Sequence, residues 1–188
     1  MSSSVSTIPR QGVNARQAET VQKLLEATDA DLREHGCDAV TVRSVARRAG
    51  VSSATAYTYF ASKGHLFAEL FLRYLSEGEH PDLSGDTTER VQRVVRGIIE
   101  HLGAFPALAD AVTPVLLGTD PDVTRLRQQI GAEFVGRLQE AADAEPPVLQ
   151  ALTYAFLGGL LSAGMQMLSY PELSSEMNEV VAAILRGN

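Results

Sequence analysis

The segment TVRSVARRAGVSSATAYTYFASKGHL, residues 41–66, constrains the fold of this chain more than any other. Its apolar residues recur at helical spacing, and Thr41, Ser52 and Ser62 each stand where a helix N-cap is expected. Gly50 stands where the first of these helices must end, because glycine readily adopts the left-handed conformation that closes a helix. Short capped helices joined by a tight turn predict a helix-turn-helix.

The same signals predict helices along the rest of the chain, and no strand. A helix from about Arg16 ends at Gly36, and a polar break at residues 77–86 separates the N-terminal unit from the C-terminal part. We expect an all-α protein with a flexible arm over residues 1–15, a three-helix head over residues 16–62 and a larger helical body over residues 63–188. The body helices are predicted at Thr87–Ala104, Pro106–Leu117, Pro121–Ala144, Pro147–Ser169 and Glu172–Leu185.

Charge is distributed unevenly between these two parts. The whole chain has a net charge of -7, but residues 1–75 carry a net charge of +2 and residues 76–188 a net charge of -9. A polyanion would therefore be attracted to the N-terminal end and repelled by the remainder. This distribution favours a nucleic acid as a partner of the head alone.

The outward side of the third helix carries only small or hydroxyl-bearing residues. Hydroxyl groups donate hydrogen bonds to phosphate oxygens, and small side chains allow a helix to enter the major groove of DNA. Val45, Ala49, Val51 and Ala56 are expected to hold the helices together from inside. The residues left for a partner are Ser53, Ala54, Thr55, Tyr57, Thr58 and Tyr59.

These residues resemble the DNA-binding domain of the TetR family of bacterial transcriptional regulators. The resemblance covers about residues 18–66, and beyond them only the helical layout and the chain length agree. Three positions depart from the pattern: Ala56 replaces a bulky aliphatic residue, Cys37 an aromatic one and Gly64 an acidic one. The matches fall at Thr41, Val45, Ala46, Ala49, Gly50, Val51, Ser52, Thr55, Tyr57, Tyr59, Phe60, Ser62 and Lys63.

The resemblance implies a role for each residue of the head that would touch DNA. Arg43 is the expected reader of guanine, because a guanidinium can bond to O6 and N7 together. Arg47 and Arg48 are interpreted as solvated surface charges. Base edges would be contacted by Arg43, Ser53, Ala54 and Thr58, and phosphates by Thr41, Thr55, Tyr57, Tyr59 and Lys63.

The resemblance also implies that the body dimerises and binds a small molecule. The last two helices would pair with those of a second copy, so that a homodimer reads a palindromic operator in double-stranded DNA. A small hydrophobic effector would release the DNA, most commonly from a repressor. The expected lining residues are Phe105, Phe134, Tyr154, Leu157, Leu161 and Met165.

Several other classes of protein are disfavoured by the sequence. No catalytic motif, cofactor-binding motif or metal-ligand spacing of histidines is present, so we expect no enzyme, no cofactor and no metal site. The single cysteine, Cys37, indicates a reducing compartment and hence the cytoplasm. Residues 146–171 are uncharged but contain polar residues and no flanking basic cluster, which favours a buried or interfacial helix over a membrane span. A dimeric helical adaptor that keeps the head but binds another protein remains the alternative.

Overall fold

Helices occupy most of residues 15–186, the part of the chain that the computed structural model describes. The all-α prediction is confirmed there, and the arm expected over residues 1–15 lies, except for Ala15, outside these residues. A short 3-10 helix at Cys37–Ala39 follows the first α-helix. The α-helices are α1 (Ala15–His35), α2 (Val42–Arg48), α3 (Ser53–Tyr59), α4 (Lys63–Glu77), α5 (Thr87–Gly103), α6 (Pro106–Leu117), α7 (Pro121–Ala141), α8 (Pro146–Gly164) and α9 (Tyr170–Arg186).

The helix boundaries in the head follow from local hydrogen bonds, and the three predicted N-caps are confirmed. The Thr41 hydroxyl accepts a hydrogen bond from the Ser44 amide, and the Ser44 hydroxyl accepts one from the Thr41 amide. The two bonds form a capping box at the start of α2. The Ser52 and Ser62 side chains cap α3 and α4 by accepting from the amides of Thr55 and His65, without a returning bond. Gly50 has φ of 70°, so the turn between α2 and α3 uses the left-handed backbone that glycine allows.

The core of the head is built from fully buried side chains on each of its helices. Leu24 from α1, Val45 from α2 and Ala56 from α3 are all inaccessible to solvent. Leu66 extends this core into α4. Because Ala56 is small and fully buried, α3 lies close to its neighbours, and its other side remains free to contact a partner.

The body is arranged around α4, which packs against α1 of the head and against α6 and α7 of the body. α5 packs along α9, and α8 lies between α9 and α7. Gly64, in the first turn of α4, faces Val115 of α6, and a Cβ atom there would lie 3.3 Å from Val115 Cγ1. The departure from the family pattern at Gly64 therefore coincides with a close approach of α4 and α6.

The predicted ends of two body helices were wrong. α7 ends at Ala141 rather than at residue 144, and α8 ends at Gly164 rather than at residue 169. Gln166 adopts a positive φ of 58°, and its amide and that of Met167 bond back to Ala163 and Ser162. This left-handed turn closes α8, and residues 165–169 contain no glycine or proline that would predict it.

α8 is less buried than its composition predicts. By length and composition alone it could cross a membrane, yet only 22% of its most apolar 18-residue window is buried within the chain. Val148, Leu152, Phe156 and Ala163 face the core, while Tyr154 is 66% exposed. Residues 15–186 therefore leave an apolar face of α8 uncovered.

Candidate nucleic-acid interface and ligand cavity

The outer surface of α2 and α3 presents the residues that the sequence assigns to DNA. Their positions on these helices leave Arg43, Ala54, Tyr57 and Thr58 exposed, and Thr41 is exposed at the α2 N-cap. The remaining four residues are partly buried, namely Ser53, Thr55, Tyr59 and Lys63. The predicted contacts therefore lie at the surface of the head, with Tyr57 the most prominent apolar group at 47% exposure.

The hydroxyl groups of this surface are already partly engaged, which limits what each can still do. The Thr41 and Ser52 oxygens accept from backbone amides, which leaves the Thr41 proton available for donation. Ser52 and Thr55 share a hydrogen bond of 2.8 Å between their hydroxyls. Thr58 donates its proton to the Ala54 carbonyl, so towards a partner its oxygen is available as an acceptor.

Lys63 is turned towards the chain itself. Its ammonium donates to the Cys37 carbonyl over 2.5 Å and lies 5.4 Å from the centroid of the Phe67 ring. An ammonium carries three donors, so two remain for a phosphate oxygen. Lys63 thus ties the start of α4 to the 3-10 helix, a role that sequence reasoning did not foresee.

The three arginines of α2 differ in their surroundings. Arg48 is exposed, as interpreted from the sequence, but it also forms a salt bridge of 2.7 Å with the buried Asp31 of α1 and a second one with Glu34. The hydrogen bond from Arg48 lowers the pKa of the Glu34 carboxyl. Within residues 15–186, neither Arg43 nor Arg47 forms a salt bridge. Both are exposed, and their spacing of four residues places them on one side of α2.

Arg47 is therefore a candidate contact that sequence reasoning missed. Its four-residue spacing from Arg43 was visible in the sequence, but nothing there separated Arg47 from Arg48. Only the pairing of Arg48 with α1 distinguishes the two neighbours.

A cavity of about 340 Å³ lies in the body between α4, α6, α7 and α8. Most of its wall is apolar, including Phe71, Leu102, Val112, Leu116, Ile130 and Leu160. Its volume falls in the range of small-molecule sites in proteins. The polar side chains on the wall are Arg127, Thr113 and Tyr170.

The structure brings three of the six expected lining residues to this cavity, namely Phe134, Leu157 and Leu161. The other three lie elsewhere. Phe105 is buried beneath Arg33, whose guanidinium carbon is 3.6 Å from the ring centroid. Tyr154 points to the outer side of α8, and Met165 is 57% exposed in the turn after this helix.

No group of His, Cys, Asp and Glu side chains in residues 15–186 is arranged to hold a metal ion. His101 forms structural contacts with Tyr74. Its Nε2 lies 2.7 Å from the Tyr74 carbonyl oxygen, and the Tyr74 hydroxyl donates to the His101 carbonyl. The two rings are stacked with centroids 4.1 Å apart.

Sequence comparison relates most of this chain to known regulators. A family model described as bacterial regulatory proteins, tetR family, matches residues 24–70. The uncharacterized HTH-type transcriptional regulator Rv0767c of Mycobacterium tuberculosis is 39% identical over 179 residues, covering 93% of this chain and 84% of the relative. The HTH-type transcriptional repressor KstR of Rhodococcus jostii is 34% identical over 136 residues, covering 69% of this chain and 63% of KstR.

Solved structures share the fold. A TetR transcriptional regulator from Rhodococcus sp. RHA1 superposes with a TM-score of 0.76 at 22% identity, over 93% of this chain and 99% of that one. Thermus thermophilus FadR, a transcriptional repressor solved in complex with lauroyl-CoA, superposes with a TM-score of 0.63 at 18% identity, over 89% and 94% of the two chains.

Proposed function

We propose, from the premise that this chain belongs to the TetR family of bacterial transcriptional regulators, that it is a repressor which binds a palindromic operator as a homodimer. A TetR regulator is not an enzyme, and it acts where bacterial DNA is found, in the cytoplasm. The observation that supports specific DNA binding is the outer surface of α2 and α3, where exposed Arg43, Tyr57 and Thr58 share one surface of a basic head.

Each proposed contact with DNA follows from the donors and acceptors that remain free. Arg43 is the reader of guanine, and Thr58, with its proton engaged, would accept from the amino group of adenine or cytosine. Ser53 and Ala54 would face the same base edges. The proposed phosphate contacts are Thr41, Thr55, Tyr57, Tyr59 and Lys63, with Arg47 added from its exposure.

The uncovered face of α8 supports the proposed homodimer. No charged residue lies between Glu145 and Glu172, so two copies related by a two-fold axis could bring this face together without opposing like charges. Gly158 lies on the exposed side, and a Cβ atom there would meet nothing within 4 Å. A second helix could therefore approach α8 closely at this point.

The proposed effector is a small apolar molecule held in the cavity of the body. The relative KstR is a repressor, and the fold neighbour FadR was solved with an acyl-CoA. For this chain the supporting observation is the apolar wall that includes Phe134, Leu157 and Leu161. Such a ligand would release DNA if it binds more tightly to the conformation in which the two heads cannot reach both half-sites.

Selection of binding sites from random duplex DNA tests the function. The purified protein is expected to enrich a palindrome whose half-sites are about one helical turn apart or somewhat more. Enrichment of no sequence would contradict the proposal and favour the adaptor, which needs only protein contacts.

A further inference from the structure

The cavity in the body is apolar except for a few donor groups, and among residues 15–186 one charged side chain lies on its wall, that of Arg127. Its other polar residues are Thr113 and Tyr170. Thr113 already donates its proton to the Ala109 carbonyl. Burial, assisted by the negative charge of Asp110, raises the pKa of Tyr170 to about 12, so its phenol stays protonated and neutral. The positive charge of Arg127 is thus not balanced from within the cavity.

The partners of Arg127 are neutral. Its Nε donates to the Leu116 carbonyl and its Nη2 to the Gly118 carbonyl, each over 2.6 Å, at the end of α6. Among residues 15–186, no carboxylate lies within salt-bridge distance of Arg127. A guanidinium has five N–H donors, so three are left over for another partner.

We propose that this cavity binds an apolar molecule bearing one carboxylate, and that the carboxylate sits on Arg127. The inference rests on the proposed function, in which the cavity is the effector site. A guanidinium matches a carboxylate with two parallel hydrogen bonds, and the match is strengthened where the surroundings are apolar. A neutral molecule of the same shape would leave the charge of Arg127 without a counter-ion.

The shape of the cavity sets the direction of the ligand. Arg127 contacts the last residues of α6, whereas Tyr170 packs on Gly103, just before α6 begins. The wall between them is formed by the side of α6 that carries Ala109, Val112 and Leu116. The hydrocarbon part of the ligand would therefore lie along α6, with its carboxylate at the C-terminal end of this helix.

The loop after α6 also connects this carboxylate position to the head. A carboxylate on the remaining N–H groups of Arg127 would share this guanidinium with the carbonyls of residues 116 and 118. Two residues further on, Asp120 accepts a hydrogen bond of 3.1 Å from Ser62, the N-cap of α4. The loop that Arg127 holds is thus the loop that touches the start of the helix joining head and body.

The test compares dodecanoate with 1-dodecanol, which differ in charge but not in chain length, by calorimetric titration of the full chain below the concentrations at which they aggregate. We expect dodecanoate to bind about 10- to 100-fold more tightly, the range given by a charge-assisted hydrogen bond. Equal affinity of the wild-type protein for the two probes would overturn the proposal. This comparison needs no variant.

Substitution then assigns the preference to one residue. Arg127→Gln is expected to remove the preference for dodecanoate while the affinity for dodecanol stays the same, and Arg127→Lys to retain part of it. The control is Arg125→Gln, which removes an exposed arginine from the same helix and should leave the preference intact. A preference that survives Arg127→Gln would overturn the assignment. Because these titrations contain no DNA, failure to find an operator would affect the proposed function and not this result.

Discussion

Two neighbouring residues, Arg47 and Arg48, show how identical side chains acquire different roles. Arg48 bridges α2 to α1 through Asp31 and Glu34, whereas Arg47 is exposed on the side of α2 that carries Arg43. Asp31 is buried, so its carboxylate depends on this partner. At the scale of single residues, Arg48 therefore stabilises the packing of α2 on α1, whereas Arg47 is available to contact DNA.

Replacing each arginine in turn tests this separation. Arg48→Ala is expected to lower the melting temperature, because it leaves the Asp31 carboxylate buried without its partner. Arg47→Ala should change stability by no more than about 0.5 kcal/mol, as exposed substitutions usually do, while weakening DNA binding. Thermal denaturation followed by circular dichroism, together with a DNA titration, measures both. A larger loss of stability from Arg47→Ala than from Arg48→Ala would contradict the separation.

The proposed roles in base reading and phosphate binding should be separable in the same way. Arg43→Ala is expected to flatten the preference at one base pair of each half-site, a loss of about 1–3 kcal/mol in discrimination. Tyr57→Phe removes only an exposed hydroxyl and should weaken all sequences alike. Repeating the site selection with each variant measures the change. If both variants altered base preference equally, the assignment of Arg43 as the reader would be wrong.

At the scale of helices, close approaches of backbones decide how the body packs. A Cβ atom on Gly164 would lie 2.3 Å from Thr113 Oγ1 and 3.2 Å from Thr113 Cβ, so α8 and α6 are in contact at this point. Thr113 has little freedom to move, because its hydroxyl is bonded to Ala109. Gly97 of α5, in contrast, has open space where its Cβ would be.

Alanine at these two glycines should therefore have opposite effects. Gly164→Ala is expected to destabilise the protein by about 1–3 kcal/mol, as overpacking does. Gly97→Ala should stabilise it by about 0.5–1 kcal/mol, because alanine is the better helix former. Denaturant unfolding of both variants measures these free energies. Stabilisation by Gly164→Ala would show that α8 and α6 are not in contact there.

The sequence predicted the α-helices of both the head and the body, because caps and helical spacing are local signals. It predicted the ends of α7 and α8 less well, since the turn at Gln166 carries no glycine. Of the cavity residues, Phe134, Leu157 and Leu161 were placed by their apolar character, whereas Phe105 has the same character and packs under Arg33 instead. Arg127 was missed because nothing local distinguishes an arginine on a cavity wall from one in solvent.

At the scale of the whole molecule, the proposed recognition of a palindrome depends on how two copies assemble. α8 is uncharged from Pro146 to Gly164, yet residues 15–186 leave one side of it exposed. A second copy on this face would cover it and fix the distance between the two heads, which sets the half-site spacing that they can read. In the proposed dimer, assembly and DNA recognition would thus be linked through α8.

A charge placed on this face should separate the copies. Tyr154→Glu brings two carboxylates together across a two-fold axis, so we expect a folded monomer by light scattering at micromolar concentration. Leu83→Glu is the matched control, since Leu83 is also exposed and apolar but lies in the loop before α5. If Tyr154→Glu remained a dimer, the interface would have to lie on another face.

The central claim, that a dimer reads a palindrome through its two heads, is tested most directly by one titration. The selected palindrome, a duplex with a single half-site and a scrambled duplex are compared at several salt concentrations. We expect the palindrome to bind two chains most tightly, with an affinity that falls linearly in log salt as counterions are released from the phosphates. Equal affinity for all three duplexes, with no dependence on salt, would contradict it.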